Sequence, residues 1–577
     1  MPVHNADIAA DFDELADLLE IEGANPFRIR AYRNAARTLR DLPRDVAAML
    51  DKGEDLTELP GIGKDLAAKI KEIVETGTAA MLEEHRKTVP ATLTELLKIP
   101  GVGPKRVKAL YHDLGIRTLD QLQKAAQEGL VRALQGFGEK TERHILDQLK
   151  ASTGEPKRFK LAIATQYAEA LIAYLNNSPG VKQVVAAGSY RRAKETIGDL
   201  DILVTASPGS PVMDRFVSYP EVEEVLAQGA TKASLRLACK LQVDVRVVPK
   251  ESYGAALQYF TGSKAHNVAL RQLAQQQGLK INEYGVFKGD SSVAGATEES
   301  VYASVGLPWI PPELRENRGE FDAARAGRLP ALVNVGDLKG DLHAHTKATD
   351  GQNSMKEMAA AARERGLEYL AITDHSRRLT MTKGLDPKRL FEQLEEIDRL
   401  NASSIGITLL KGIEVDILED GSLDLPDEDL SRLDLVVGAV HSHFGLSRQK
   451  QTERILRAID RPYFTILAHP SGRLIDERGP YEVDMPRVIR HARARGCFLE
   501  VNAHPIRLDL TDTDCQMAKE EGVMVSINSD AHSTLDFGNL RYGVGQARRG
   551  WIEKQDVLNA RSLNTVRPLL KCTMLRT

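Results

Sequence analysis

Apolar residues recur at helical spacing near the start of the chain, at Ile8, Phe12, Leu15, Leu18 and Leu19, and again at Ile70, Ile73 and Val74. That period predicts helices over residues 1 to about 150. The period then falls to two. Leu200 and Ile202 alternate with Asp199 and Asp201, and Val243 and Val245 alternate with Gln242, Asp244 and Arg246. In a strand, residues i and i+2 share a face, so Asp199 and Asp201 project together while Leu200 and Ile202 turn into a core. From about residue 337 the texture changes again, to apolar runs that each end in polar residues. The runs end at Asp341-Leu342-His343-Ala344-His345 with Asp350, at Ile372-Thr373-Asp374-His375, and at Gly412-Ile413-Glu414. They continue at Val440-His441-Ser442-His443, Leu467-Ala468-His469-Pro470, Val501-Asn502-Ala503-His504 and Asn528-Ser529-Asp530-Ala531-His532. Helical patterns lie between them, for example Met358 to Arg365 and Leu390 to Leu400. Strands alternating with helices predict a parallel sheet, and polar residues at the C-terminal end of each strand predict the mouth of a barrel.

Two chemistries follow from these placements. Aligned carboxylates repel unless a cation lies between them, and hard oxygen ligands favour Mg²⁺ or Mn²⁺. With Asp244 as a third carboxylate on a neighbouring strand, the set can hold two ions roughly 3.5–4 Å apart, the arrangement that drives in-line phosphoryl displacement. Upstream, the Gly188-Ser189 turn offers N–H groups and a hydroxyl to phosphate oxygens, and Arg192 offers a bidentate partner. In the C-terminal region the histidines gather at strand tips, a placement hard to explain by packing. Their mixture with carboxylates suits Mn²⁺ or Zn²⁺ better than Mg²⁺ alone.

The helical region repeats a design: Leu59-Pro60-Gly61-Ile62-Gly63-Lys64 and Ile99-Pro100-Gly101-Val102-Gly103-Pro104-Lys105, each followed by a helix, with a weaker third copy at Gly136-Phe137-Gly138. Such glycine turns open a helix N-terminus to phosphate. The repeat resembles helix-hairpin-helix, which implies Gly61, Gly63, Gly101, Gly103 and Lys105 as DNA-backbone contacts.

Composition narrows the class. At 577 residues the chain exceeds one core, and 42% hydrophobic with 27% charged residues fits ordinary globular domains. No apolar run approaches the ~18 residues of a membrane span, and no signal-peptide layout is present, so a cytoplasmic, nucleoid-associated protein is expected. Four scattered cysteines predict reduced thiols. A net charge of −4 confines any nucleic-acid binding to local patches.

The signature from Gly188 to Val204 resembles the palm of the family X DNA polymerases, which include polymerase beta. The glycine repeats look like helix-hairpin-helix, and the histidine-bearing runs resemble the polymerase-and-histidinol-phosphatase (PHP) domain. The resemblance implies a multidomain α+β and α/β chain. A helical lyase-like domain (1–85) and a fingers-like domain (86–154) precede a nucleotidyltransferase palm (155–255) and thumb (256–317). A linker (318–336) leads to a distorted (β/α)₇ metal-binding barrel (337–577). It also implies that Tyr259, Phe260 and Gly262 exclude a 2′-hydroxyl, that Asn267 reaches the nucleotide base, and that Arg271 touches the template. Lys69 matches a Schiff-base lysine, with Lys64 and Lys71 as cations that would activate it. In the barrel the implied ligands are His343, His345, Asp350, His375, Glu414, His441, His469, Asp530 and His532, holding two or three Mn²⁺, Zn²⁺ or Fe ions. His443 and His504 stand beside them. The expected activity is DNA-dependent gap filling in repair by a monomer that takes dNTPs and gapped, 5′-phosphorylated or primer–template DNA. The barrel is expected to add 3′→5′ exonuclease and possibly 3′-phosphatase or abasic endonuclease activity. The alternative is an end-processing phosphoesterase that uses the polymerase half as a DNA platform.

Overall fold

The computed structural model describes residues 3, 5–42, 45–59, 61–88, 93, 96–97, 99, 102–134, 136–151, 158–378 and 382–575. The chain divides into two compact units. One holds residues 1–158 with segments 218–224 and 236–241, and the other holds 159–217, 225–235 and 242–577.

The first unit is helical. Helix Asn5–Glu22 buries Ile8, Phe12, Leu15, Leu18 and Leu19, the stripe its period predicts. The glycine turns share one geometry. In each, the apolar residue between the glycines donates its N–H to the leucine or isoleucine carbonyl three residues back: Ile62 to Leu59 (3.0 Å), Val102 to Ile99 (2.9 Å), Phe137 to Leu134 (3.0 Å). The weakest copy by sequence is thus the same turn. Helices Lys64–Thr76 and Pro104–Leu114 follow Gly63 and Gly103, and neither start has a side-chain cap. Gly101, Pro60 and Pro100 lie outside the described residues.

In the second unit, strands Val181–Ala186, Asp199–Ala206 and Gln242–Val247 are neighbours in a five-stranded sheet. The first two are antiparallel and the last two parallel. Leu200, Ile202, Val243 and Val245 are buried, as alternation requires. Helices Tyr253–Thr261 and Lys264–Gln276 follow, then a three-stranded antiparallel sheet and helix Glu298–Ala303.

Residues 318–336, read from sequence as a linker, do not behave as one throughout. They carry helix Glu320–Arg325, and Phe321, Ala324 and Leu332 pack into the same core as Leu270, Val301 and Tyr302. Glu320 is fully buried against His266 Nδ1 at 2.7 Å. The Gly and Arg content that suggests a linker hides the apolar face Phe321–Ala324.

Beyond it, Gly340–Asp341, Tyr369–Ile372 and Thr408–Lys411 form one parallel ladder, and Glu414–Asp416, Val437–Ala439, Ile466–Leu467, Phe498–Asn502 and Val525–Asn528 form another. Parallel bridges His375–Glu414 and Ala344–Ala531 join the two ladders on both sides. The short break at Gly412-Ile413 splits one strand into two pieces, so the closed ring has seven strand positions, with helices between successive strands.

Candidate active sites in the palm and the barrel

The parallel register sets Asp201 directly beside Asp244, and Asp199 beside Gln242. Parallel partners point to the same face, so three carboxylates converge at one end of the sheet. Ser234 Oγ and Gln242 Nε2 both donate to Asp244, the latter at 3.0 Å, fixing its two oxygens. Burial, with repulsion from Asp199 and Asp244, pushes the Asp201 carboxyl up to about 7. A carboxyl so loaded with like charge is a cation ligand in waiting, and the donor set fits Mg²⁺ or Mn²⁺.

The helical turn Gly188–Arg191 abuts this cluster. A Cβ on Gly188 would stand 2.5 Å from Asp201 Oδ2, and φ is +62° there, so only glycine brings the turn and Ser189 this close. The two arginines behind the turn divide their work. Arg191 binds Glu298 through two nitrogens at 2.8 Å, with Arg315 and Trp309 on the same carboxylate, and so pins palm to thumb. Burial would raise the Glu298 carboxyl, but Arg191 and Arg315 hold it down at about 2. Arg192, expected from sequence to meet phosphate, donates here to the Thr261 carbonyl and to Glu316 at 3.0 Å.

Tyr259 and Phe260 meet edge to face at 5.0 Å between centroids, with Arg246 over Phe260 and Arg271 over Tyr259. Gly262 lies next to Arg192, where a Cβ would meet Nη1 at 3.4 Å. Asn267 and Arg271 share a face of helix Lys264–Gln276, as their spacing predicts. The Asn267 amide donates to the Tyr259 carbonyl (2.6 Å) and accepts from Gln258 (2.8 Å). In this state it holds the Tyr–Phe pair rather than facing out.

Lys69 has a carboxylate at its ammonium, that of Asp65 at 2.5 Å, one helical turn back. The glycine-turn residues Gly61, Gly63, Gly103 and Lys105 lie at the helix starts described above.

In the barrel, eight of the nine expected ligands fall into three overlapping groups of mutually close donor atoms. These are His345, Asp350, His375 and His532; His343, His345 and Asp530; and His375, Glu414 and His441. The ninth, His469, places Nε2 3.0 Å from Glu414 Oε1. His345 and His375 belong to two groups each, so the three groups run into one another as a single cluster. His343 Nε2, both His345 nitrogens, His375 Nδ1 and Glu414 Oε2 are buried and make no hydrogen bond of good geometry, although His375 Nδ1 and Glu414 Oε2 stand 2.7 Å apart. Buried donors and acceptors are rarely left so, and imidazole with carboxylate at these positions fits two or three divalent cations. Burial opposes charge on Glu414, yet His375, His441 and His343 hold its carboxyl far below the usual range. Burial drives His345 the other way, with His532 and His375 adding to it, toward the neutral form that ligates a metal.

His443 stands outside these groups, 3.6 Å from Glu419. His504 is in none of them. Sequence patterning did not single out Glu500, which accepts His343 Nδ1 at 2.7 Å and the His469 N–H at 2.8 Å. Its signal was a carboxylate inside the apolar run Phe498-Leu499-Glu500-Val501. Asp416 braces His441 Nδ1 in the same way at 3.3 Å, and Arg507 Nε reaches Asp530 at 3.6 Å.

Family models match five successive segments of the chain: a helix-hairpin-helix domain at 3–79, a SAM-like helix-hairpin-helix tandem at 93–151, the DNA polymerase beta palm at 163–247 and thumb at 256–316, and a PHP domain at 341–504. The DNA polymerase/3′-5′ exonuclease PolX of Bacillus subtilis is 39% identical over 573 residues, covering 99% of this chain and 100% of the relative. The chain belongs to the family X DNA polymerases. DNA polymerase lambda of Rattus norvegicus is 27% identical over 54% of this chain and 56% of its own. A protein of Thermoanaerobacter sp. (strain X514) named "Probable phosphatase" is 30% identical over 38% of this chain and 89% of its own. No helix among the described residues is long and apolar enough to cross a membrane.

Proposed function

We propose that the chain is a template-directed DNA polymerase that fills short gaps during repair, and that its barrel hydrolyses phosphoesters at DNA 3′ ends. The observation that carries the polymerase half is the side-by-side placement of Asp201 and Asp244, with Asp199 two residues away and the Gly188 turn against them. Divalent cations there, Mg²⁺ or Mn²⁺, supply charge neutralisation for in-line displacement. The protein's own residues do the positioning. Asp244, its oxygens fixed by Ser234 and Gln242, takes the 3′-hydroxyl side. Ser189 and Arg192 take the triphosphate, and the Tyr259–Phe260 edge limits the sugar to a deoxyribose.

The overlapping donor groups, with five buried ring or carboxylate atoms that make no hydrogen bond of good geometry, support hydrolytic metal chemistry in the barrel. Mn²⁺ or Zn²⁺ fits the donor set, and Fe shares the imidazole preference. His343, His345, Asp350, His375, Glu414, His441, His469, Asp530 and His532 would hold the ions, and Glu500 and Asp416 orient two of the imidazoles. The glycine turns grip the DNA backbone. The protein works as a cytoplasmic, nucleoid-associated monomer on gapped or primer–template DNA bearing 5′-phosphates. Lys69, ion-paired to Asp65, is a reserve lyase candidate rather than an activated nucleophile.

A labelled primer on a one-nucleotide gap, incubated with Mn²⁺ with and without dNTPs, tests both halves. Asp199→Ala/Asp201→Ala should lose extension and keep shortening the primer, and His375→Ala/His469→Ala should do the reverse. Loss of shortening only in the Asp variant would remove the nuclease from the barrel.

A further inference from the structure

The nucleotide turn of the palm does not end in the palm. Its continuation, Arg192 to Glu195, lies against the barrel, where a Cβ on Gly545 of helix Leu540–Arg549 would meet Ala193 Cβ at 3.1 Å. Arg549, the last residue of that helix, is almost wholly buried there. It donates to the Arg192 carbonyl at 2.9 Å and to Glu316 Oε1 at 2.9 Å, and it binds Asp512 at 2.5 Å. Glu316 Oε1 is the same oxygen that Arg192 Nε binds at 3.0 Å. Two guanidiniums from two domains therefore share one carboxylate atom. A second clasp lies alongside: Arg473 of the barrel binds Glu195 at 2.7 Å.

Sharing has a consequence for Arg192. Burial alone would raise the Glu316 carboxyl, but Arg192 and Arg549 hold it ionised, with Lys194 adding positive charge nearby. A half-buried carboxylate that loses its cation carries a large penalty. If Arg192 were its only guanidinium partner, turning Arg192 toward a triphosphate would leave Glu316 bare. With Arg549 on the same oxygen, Arg192 can leave and the carboxylate stays neutralised.

We infer that Arg549 of the barrel is a positioning residue of the polymerase site, holding the charge of Glu316 so that Arg192 is released to the incoming nucleotide. This makes the barrel a working part of nucleotide binding as well as a second enzyme. The inference rests on the reading of Arg192 as a triphosphate ligand.

The test uses full-length protein and single-nucleotide extension of a gapped duplex with dTTP opposite adenine, with KM and kcat determined separately. Arg549→Gln should raise the KM for dTTP about tenfold, the scale of one hydrogen bond to a charged group, with kcat changed less. Arg549→Lys should recover most of that loss. In a Glu316→Gln background, Arg549→Gln should change KM less than twofold, because no charge is left to hold. Arg473→Gln, which cuts the neighbouring clasp without touching Glu316, should leave KM within twofold of wild type. Barrel phosphoesterase activity and the thermal unfolding midpoint report whether each variant folds. Should Arg549→Gln not fold, the Lys variant and the Glu316→Gln pair carry the comparison. An Arg549 effect that persists in Glu316→Gln, or an Arg473 effect of equal size, overturns the inference in favour of simple domain docking. Absence of extension by wild type would instead overturn the polymerase reading.

Discussion

Asp201 and Asp244 are register partners on adjacent parallel strands, and no residue separates their carboxylates along the sheet. Their mutual repulsion is part of what lifts the buried Asp201 carboxyl to about 7. Asp201→Asn should therefore cost extension activity about 10²–10³-fold, the scale of losing one preorganised electrostatic group. The same change should raise the unfolding midpoint of metal-free protein, since it removes charge that burial disfavours. Added Mn²⁺ should raise the midpoint of the variant less than that of wild type, since the barrel can take the ion in both. A metal-free variant that melts below wild type would contradict this account of Asp201.

Glu500 accepts from both His343 and His469 and supplies no donor atom to the three ligand groups. Glu500→Gln keeps its volume but weakens its hold on the imidazole. Outer partners of this kind are worth about 10- to 100-fold in metal affinity or activity. The variant should need correspondingly more Mn²⁺ or Zn²⁺ for phosphoesterase activity, read by metal titration, while primer extension stays at the wild-type level.

His266 is buried between Glu320 and Tyr302, at 2.7 and 2.8 Å, and stacked on Phe321. Burial lowers its pKa, against the opposing pull of Glu320. Folded protein thus keeps the ring neutral at a pH where the unfolded chain, with its imidazole near ~6.5, takes up a proton. The unfolded state binds more protons below that value, so stability falls as pH drops through it. The unfolding midpoint should decline less between pH 7 and 5.5 in His266→Gln than in wild type. Parallel declines would show that His266 is not the group responsible.

Asp65 is mostly exposed while Lys69 is mostly covered. Pairs of that kind contribute about 0.2–1 kcal/mol, so Asp65→Ala should increase borohydride trapping of the chain on an incised abasic site by about 1.4- to fivefold. The increase should vanish in Asp65→Ala/Lys69→Ala. No change on removing Asp65 would mean that Lys69 is not restrained by it.

The sequence was most legible where function rides on a strict period. Asp199, Asp201 and Asp244 could be placed on one face because Leu200, Ile202, Val243 and Val245 had to point the other way. Most of the barrel ligands were legible because they follow closely on an apolar strand, Asp350 and Glu414 being exceptions in a loop and at a strand start. What stayed hidden is non-local. Glu316 meets Arg549 across a separation of 233 residues and Arg192 across 124, and nothing in the local pattern of either segment announces the contact. Helix Glu320–Arg325 was obscured by flanking Gly and Arg, and its buried carboxylate, Glu320, has its imidazole partner 54 residues earlier. Asn267 could be put on the correct helix face, but its present engagement with Tyr259 and Gln258 depends on a turn geometry that spacing does not reveal.

The clasp between Arg473 and Glu195 is completed by hydrogen bonds from the same guanidinium to the carbonyls of Arg507, at 2.9 Å, and Leu508. These contacts tie palm and barrel at this seam. If the seam holds while the protein works, the strand has to do the travelling. A 3′ terminus would then reach the trimming centre only after it frays from its template, and fraying is fast for a mispair and slow for a matched G·C. Error correction then needs no pocket that recognises mistakes. Duplex melting does the sorting, and warming should speed excision of mismatched ends and matched ends by different amounts.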